Sequence, residues 1–134
     1  MKEQSQTKKI KWGIIGLGGI ANKFANDLLT IEDAELYAVA SRTQEKADAF
    51  AKKYGAIKAY ATYEDLANDP NIDAVYIATP HTLHKENALM CLDKGIAVLG
   101  EKPFAMNAKD VDEMIAKAKE KNVLLMEALW TYFL

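Results

Sequence analysis

Short apolar runs alternate with segments of helical period along the whole chain, and this alternation restricts the fold more than any other feature. We predict strands over residues 10–15, 36–40, 57–59, 74–78, 96–99 and 123–126, and helices over residues 20–30, 44–53, 63–68, 83–94 and 108–121. Neighbouring parallel strands need crossover connections, which the intervening helices supply. The sequence therefore predicts an α/β fold with a doubly wound parallel sheet of about six strands.

Length and composition favour one domain. The chain has 134 residues, of which 50% are hydrophobic, enough to bury a core of its own. We expect a loose tail over residues 1–9 and a single domain over residues 10–134. The 17 basic and 19 acidic residues leave a net charge of −2, which disfavours nucleic acid and an anionic membrane as partners.

The sequence also favours a cytoplasmic location. The single cysteine, Cys91, cannot form an internal disulfide, and we expect it to belong to the core. No apolar run approaches the roughly 20 residues of a membrane span. The chain begins with polar residues in place of the apolar region of a signal peptide.

Two predicted helices carry periodic apolar faces. Ile20, Phe24 and Leu28 recur every fourth residue, so we expect them to press on the sheet. The next helix has a stripe of four residues, Ala47, Phe50, Ala51 and Tyr54. Gly55 is expected to end that helix, and Thr62 to cap the following one, with Asp65 three residues later.

A glycine-rich turn joins the first predicted strand to the first predicted helix. It reads GLGGIA over residues 16–21 and fits the dinucleotide-binding pattern G-x-G-x-x-A. The first glycine takes a tight turn, the second lets the backbone approach a pyrophosphate, and Ala21 allows close packing of helix on strand. We therefore predict a Rossmann fold with cofactor contacts at Gly16, Gly18, Gly19 and Ile20. The alternative is a glycine turn without a ligand.

The end of the second predicted strand favours NADP over NAD. About 20 residues beyond the glycine pattern an NAD-binding unit carries Asp or Glu for the ribose 2′-hydroxyl. This chain has Ser41, Arg42 and Thr43 there, and Lys46 follows one turn later. Hydroxyls and a guanidinium can bind a 2′-phosphate, which a carboxylate would repel. We predict NADP, with NAD as the alternative cofactor, although a helix cap beside a solvated arginine would have the same sequence.

Two further motifs carry a resemblance to a known family. Residues 101–103 read EKP after the fifth predicted strand, and residues 78–84 read ATPHTLH after the fourth. With these motifs the chain resembles the Gfo/Idh/MocA oxidoreductase family over nearly its whole length. Residues 126–131, MEALWT, look like those of the branch that contains dimeric dihydrodiol dehydrogenases.

The resemblance implies an NAD(P)-dependent dehydrogenase that transfers a hydride between nicotinamide and a hydroxyl or carbonyl carbon. The implied substrate is a small polyol, sugar or diol. The resemblance also implies a C-terminal α/β substrate domain, which is missing from this sequence and would carry much of the substrate site and the interface of a homo-oligomer. We expect the chain by itself to have very low activity.

The resemblance assigns catalytic and cofactor roles to individual residues. Lys102 of the EKP motif would assist proton transfer at the reacting hydroxyl, and His84 would lie near the active centre. A solvated lysine and a locally packed histidine are the alternatives. Glu101 would accept hydrogen bonds from a ribose. Trp130 would form one wall of the nicotinamide pocket. The alternative is that Trp130 packs against the missing domain.

Residues after the fourth predicted strand complete the expected site. Thr79 and Pro80 follow that strand at its carboxyl end, where open α/β sheets bind ligands, so we expect them and His81 to line the nicotinamide side. His81 and His84 have no acidic or thiolate ligand beside them, so we expect no bound metal. Tyr132 stands where the branch has an arginine.

One function of a different class stays open at this point. The chain would then be a non-catalytic NAD(P)-binding sensor or partner-binding module, an alternative that the absence of the substrate domain supports. Lys102 after Glu101 argues against this alternative, because a pure sensor has no need of a proton-transfer group there.

Overall fold

A six-stranded parallel sheet forms the centre of the fold in the computed structural model, which describes residues 9–79, 81–101 and 108–128. The strands are β1 (Ile10–Ile15), β2 (Ala34–Ala40), β3 (Lys58–Tyr60), β4 (Ala74–Ile77), β5 (Ala97–Glu101) and β6 (Leu125–Ala128). The helices are α1 (Gly19–Leu28), α2 (Gln44–Tyr54), α3 (Tyr63–Ala67), α4 (His81–Asp93) and α5 (Ala108–Lys121). The predicted elements are all confirmed, with boundaries that agree within two residues. The predicted tail lies outside the described residues, except for Lys9.

The order of the strands is that of a doubly wound sheet. It runs β3-β2-β1-β4-β5-β6, and every neighbouring pair is parallel. The chain therefore builds one half of the sheet outward from β1 and then returns to build the other half outward from β4. The predicted fold class is confirmed.

Helices cover both faces of this sheet. α1 and α2 pack on one face, in a cluster that includes Ile14, Val39 and Tyr76. α3, α4 and α5 pack on the other face, in a cluster that includes Ile77 and Met114. Neighbouring residues of β4 enter different clusters because successive side chains of a strand point to opposite faces. None of the helices in the described ranges combines the length and the apolarity needed to cross a membrane.

Two cap residues lie where the sequence predicts them, one at the start of α3 and one at the end of α2. Thr62 Oγ1 accepts a hydrogen bond from the Asp65 N–H at 3.0 Å, which caps α3. Gly55 follows α2 with a φ angle of 81°, as expected for a glycine that ends a helix. The predicted stripe on α2 is buried, with Ala47, Phe50, Ala51 and Tyr54.

The buried face of α1 differs from the predicted one. Its buried residues are Ala21, Ala25 and Leu28. Ile20 is 44% exposed, and Phe24 stacks on Tyr76 with 4.0 Å between ring centroids. Phe24 therefore packs on β4, as predicted. Small alanine side chains let the helix backbone approach the sheet closely, and Ile20 lies to the side of that contact. The prediction for Leu28 is confirmed, whereas the prediction that Ile20 presses on the sheet is wrong.

An apolar cavity of about 670 Å³ lies beside α1 on the same face of the sheet. It extends over β4, β5 and β6, and its apolar walls include Trp12, Ile20, Phe24, Tyr76, Leu99 and Met126. In the described part of the chain the helices of this face, α1 and α2, pack over the other half of the sheet. Among the described residues, apolar side chains therefore line an open space above β4, β5 and β6.

A partly buried polar cluster joins β2, β3 and the turn before β4. The Tyr60 hydroxyl donates to Asp69 Oδ2 at 2.6 Å, and the Asn71 N–H donates to Asp69 Oδ1 at 2.9 Å. Asn71 Nδ2 donates to the Tyr37 hydroxyl at 3.2 Å. Burial acts to raise the pKa of Asp69, but hydrogen bonds from Tyr60, Asn71 and Tyr37 outweigh it and hold that pKa below 3.8. Burial and the neighbouring carboxylate raise the pKa of Tyr60 to about 12.

Candidate cofactor site

The carboxyl ends of β1 and β4 meet at the centre of the sheet. These strands are neighbours, and the chain leaves them toward opposite edges, from β1 to β2 and from β4 to β5. A reversal of this kind opens a crevice at the carboxyl ends, where doubly wound sheets bind ligands. Gly16 directly follows β1, and Thr79 follows β4 by two residues. Both residues therefore border the crevice.

Gly16 forms the tight turn that the glycine pattern predicts. Its φ angle is 90°, in a region that other residues rarely adopt. A Cβ atom at Gly16 would lie 2.9 Å from Thr79 Cγ2 and 3.0 Å from the carbonyl carbon of Ala78. The turn after β1 therefore packs directly against the chain that leaves β4, and a larger residue would push the two apart.

The start of α1 faces open space. Gly18 is the N-cap and Gly19 the first helical residue, and no side chain among the described residues caps this end. A Cβ atom on Gly18 or on Gly19 would meet no atom within 4 Å. Ala21 is fully buried, as the pattern predicts, whereas Ile20 is exposed. We call residues 16–20 the glycine cradle, because the first N–H groups of α1 can receive an anion there.

The end of β2 and the start of α2 carry the predicted 2′-phosphate residues. Ser41 is buried, and its N–H donates to the Tyr60 carbonyl oxygen at 3.1 Å. Arg42, Thr43 and Lys46 are exposed, and Thr43 Oγ1 caps α2 by accepting from the Lys46 N–H at 3.2 Å. The capping role thus belongs to Thr43, whose hydroxyl proton is still able to donate to a ligand.

Thr79, at the crevice, and His84, in α4, are both buried. Thr79 is 4% exposed, and its Oγ1 accepts a hydrogen bond from Asn87 Nδ2 at 2.9 Å. The hydroxyl of Thr79 therefore points to α4, while its methyl group faces Gly16. His84 is 2% exposed and lies in the first half of α4. The predicted catalytic histidine is thus enclosed by the protein.

The remaining predicted site residues are described only by backbone position or not at all. Glu101 is the last residue of β5, where it pairs with Ala128, and His81 is the first residue of α4. Both positions lie at the carboxyl edge of the sheet, as the glycine cradle does. Pro80, Lys102 and Trp130 lie outside the described residues.

The thiol and the metal-ligating side chains of the described residues form no second kind of site. Cys91 is fully buried, as predicted for a core residue, and burial raises the pKa of its thiol to about 12. The described residues include no group of three or more His, Cys, Asp or Glu placed to hold a metal ion.

Sequence reasoning missed two residues that contact the glycine cradle or support it. Asn22 Nδ2 donates to the Gly18 carbonyl oxygen at 3.0 Å, and Asn22 Oδ1 accepts from the Tyr54 hydroxyl at 2.5 Å. The spacing of Asn22 four residues after Gly18 was visible in the sequence. The contact with Tyr54 spans 32 residues and depends on how α1 packs beside α2.

Comparison with known proteins finds relatives over most of the chain. The model of an oxidoreductase family with an NAD-binding Rossmann fold, Gfo/Idh/MocA, matches residues 10–129. The trans-1,2-dihydrobenzene-1,2-diol dehydrogenase of Mus musculus is 48% identical over 126 residues, which cover 92% of this chain and 38% of the mouse protein. The chain thus spans well under half the length of this relative.

Solved structures share the fold. A 3-ketoreductase from Actinomadura kijaniata in complex with TDP-benzene and NADP has a TM-score of 0.87 and 32% identity, over 90% of this chain and 38% of that one. The apo scyllo-inositol dehydrogenase from Lactobacillus casei has a TM-score of 0.86 and 26% identity, over 95% of this chain and 38% of that one.

These similarities bear on the two classes of function that the sequence left open. The relatives are named as dehydrogenases or a reductase, which does not favour a non-catalytic sensor or partner-binding module. The resemblance noted in the sequence is confirmed by the family match and by the sheet order. The chain belongs to the Gfo/Idh/MocA oxidoreductase family and forms its NAD-binding Rossmann domain.

Proposed function

We propose that this chain is the NADP-binding part of a dehydrogenase that acts on a sugar- or diol-like substrate. The observation that carries the proposal is the position of the open glycine cradle beside the cationic start of α2, at one edge of the sheet. The names of the relatives support the substrate class, because a diol dehydrogenase, a ketoreductase and an inositol dehydrogenase all act on hydroxyl or carbonyl carbons.

The residues of the cradle fit the pyrophosphate of a dinucleotide. Gly18 and Gly19 leave open the space in which a side chain would otherwise stand. The exposed N–H groups at the start of α1 can donate to phosphate oxygens, and the positive end of the helix dipole favours a negative group there. Gly16 keeps the turn close to Thr79 and so holds the crevice narrow.

The preference for NADP rests on the residues at the start of α2. Arg42 is the only arginine in the chain, and it stands where NAD-binding units have a carboxylate. Its planar guanidinium can bind a phosphate through two hydrogen bonds. The free hydroxyl proton of Thr43 and the ammonium of Lys46 add to the same site. The complex of the Actinomadura 3-ketoreductase with NADP supports this choice of cofactor.

Lys102 is our candidate for the proton transfer that accompanies oxidation of the substrate hydroxyl. A bound nicotinamide supplies the carbon that accepts or gives the hydride. The neutral lysine takes the hydroxyl proton as the substrate carbonyl forms and returns it in the reverse reaction. The position of Glu101 at the end of β5 supports this role, because residue 102 comes next in the chain.

The other predicted residues form the surroundings of that centre. We assign Glu101 to the ribose, Trp130 to the wall of the nicotinamide pocket, and Thr79, Pro80 and His81 to its side. His84 is the second catalytic candidate, and its burial favours a role in holding the loop after β4 over direct contact with substrate. In a longer chain of this family, a second domain would complete the substrate site and form a homo-oligomer.

Calorimetric titration of the chain with NADP and with NAD, at low salt, tests the proposal. We expect NADP to bind at least about tenfold more tightly than NAD, because hydrogen bonds to charged groups contribute roughly 1.5–3 kcal/mol. Arg42→Ala should bring the two affinities close to parity by weakening NADP alone. High salt should reduce the preference, since exposed charges are screened.

Lys52→Ala is the matched control, because it removes one exposed charge from the last turn of the same helix. It should leave the preference for NADP unchanged. Absence of binding of either nucleotide to the folded chain, or equal binding of both by the unaltered chain, would contradict the proposal.

A further inference from the structure

Asn22 joins the glycine cradle to the last residue of α2. Its Nδ2 atom donates to the Gly18 carbonyl oxygen at 3.0 Å. Its Oδ1 atom accepts from the Tyr54 hydroxyl at 2.5 Å and from Lys53 Nζ at 3.4 Å. A carbonyl oxygen only accepts and an ammonium only donates, so these partners fix the orientation of the Asn22 amide.

The hydrogen bond from Asn22 Nδ2 acts on the peptide unit that carries the next N–H group, that of Gly19. The Gly18 carbonyl oxygen also accepts from the backbone N–H of Asn22, at 3.3 Å, so two donors hold it along α1. In a planar trans peptide, the C=O of Gly18 and the N–H of Gly19 point in opposite directions. The Gly19 N–H is therefore aimed out of the helix end, at a place where a Cβ atom on Gly18 or Gly19 would meet no atom within 4 Å.

Tyr54 supports this arrangement from the core. It is 8% exposed and packs against Phe50, with 4.7 Å between ring centroids, in the cluster between the sheet and the helices α1 and α2. A side chain near the surface of a helix ordinarily keeps rotamer freedom, which costs free energy when a ligand orders it. The bond from Tyr54 restricts Asn22 before any ligand binds.

We propose that Asn22, held by Tyr54, is a positioning residue that aims the Gly19 N–H at the pyrophosphate of the cofactor. This inference rests on the proposed function, which provides the ligand for that N–H. α2 then supports the cofactor at two places. Its start carries the residues for the 2′-phosphate, and its last residue supports the turn that binds the pyrophosphate.

The test is calorimetric titration of Asn22→Ala, Tyr54→Phe and the double variant with NADP and with adenosine 2′-phosphate. The second ligand keeps the 2′-phosphate but lacks the pyrophosphate. Each single variant should bind NADP about threefold to tenfold more weakly, the effect expected of one hydrogen bond. Binding of adenosine 2′-phosphate should not change. Since Tyr54 acts only through Asn22, the double variant should bind NADP no more weakly than Asn22→Ala.

Tyr37→Phe is the matched control. It also removes a tyrosine hydroxyl bonded to an asparagine, Asn71, but toward the amino edge of the sheet. Its affinity for NADP should equal that of the unaltered chain. A purely structural role for Tyr54 would lower the unfolding temperature and leave the ratio of the two affinities unchanged.

The possible results separate this inference from the proposed function. If the unaltered chain binds NADP and both single variants bind it equally well, the positioning role is wrong and the proposed function stands. Equal weakening of both ligands, or additive losses in the double variant, would also refute the positioning role. If the folded unaltered chain binds no NADP, the proposed function fails first.

Discussion

Gly16 and Gly18 lie two residues apart in the cradle, but the reason why glycine is present differs between the two positions. Gly16 has a positive φ angle and no space for a Cβ atom beside Thr79. Gly18 has a φ angle of −90° and a ψ angle of −161°, which any residue adopts, and open space around it. Packing within the described residues thus explains Gly16 alone. For Gly18 we propose that the cofactor needs the space that a side chain would fill.

Replacement of Gly18 by alanine separates folding from binding. Gly18→Ala should lower the free energy of unfolding by at most about 1 kcal/mol, since alanine is a somewhat poorer N-cap than glycine. The added methyl group stands where we place the pyrophosphate, so NADP should bind at least about tenfold more weakly, a loss of about 1.4 kcal/mol. Chemical denaturation and calorimetric titration measure the two effects.

Gly95→Ala should give the opposite result. Gly95 has a φ angle of 81° and lies before β5, at the amino edge of the sheet. Alanine at that angle should cost roughly 1–2 kcal/mol of stability and leave NADP affinity unchanged. A Gly18→Ala chain that binds NADP as tightly as the unaltered chain would refute the assignment of the cradle.

At the scale of elements, α2 is capped at its start by a residue, Thr43, that stabilises the helix and that we propose also binds the cofactor. Thr43 caps α2 through its oxygen lone pair, at 3.2 Å from the Lys46 N–H. Thr62 caps α3 in the same way, at 3.0 Å from the Asp65 N–H. We place only Thr43 beside the 2′-phosphate. The two threonines therefore form a natural pair for comparison.

Thr43→Ala and Thr62→Ala should each lower the free energy of unfolding by about 1 kcal/mol, the usual cost of a lost N-cap. Only Thr43→Ala should weaken NADP binding, by about threefold to tenfold for one lost hydrogen bond. Denaturation curves together with NADP titrations of both variants provide the measurement. Equal NADP affinity of the two variants would mean that the Thr43 hydroxyl has a capping role alone.

At the scale of the whole molecule, the polar cluster around Asp69 links stability to pH. The carboxylate holds β3 and the turn before β4 through hydrogen bonds from Tyr60 and Asn71. The pKa of Asp69 in the folded chain is lower than its ordinary value of 3.8. A lowered folded-state pKa means that this stabilisation is present above 3.8 and is lost as the pH falls through the folded-state pKa.

Asp69→Asn should therefore destabilise the chain most near neutral pH. An amide cannot replace a carboxylate that accepts several hydrogen bonds, so the free energy of unfolding should fall by about 1–3 kcal/mol at neutral pH. The difference from the unaltered chain should shrink as the pH is lowered below about 4. Urea denaturation over a pH series measures it. A difference that stays constant or grows on acidification would refute the role of the ionised carboxylate.

Asp48→Asn provides the control for that series. Asp48 is exposed on α2, where it accepts from Gln44 Nε2 at 2.8 Å. Its replacement should change the free energy of unfolding by less than about 0.5 kcal/mol at neutral pH, as is usual for surface positions. A large effect of this variant would show that loss of any carboxylate destabilises the chain.

The fold and most of the cradle could be predicted because the relevant signals are local. The spacing of apolar residues distinguishes a strand from a helix over a few residues. Caps such as Thr62 and Gly55 are recognised from the residues next to them in the sequence. The prediction for α1 was wrong at Ile20, because an apolar period carries no information on how closely alanines let the helix approach the sheet.

The sequence by itself determined the order of elements, the glycine turn after β1 and the cationic residues after β2. These features follow from backbone preferences and apolar burial within short windows of the chain. Only the tertiary structure decided that Gly16 packs on Thr79, that Asn22 meets Tyr54 and that Asp69 is enclosed by tyrosines. Those contacts join residues far apart in the chain. They depend on how the helices pack on the twisted sheet, and no short stretch of the sequence encodes that packing.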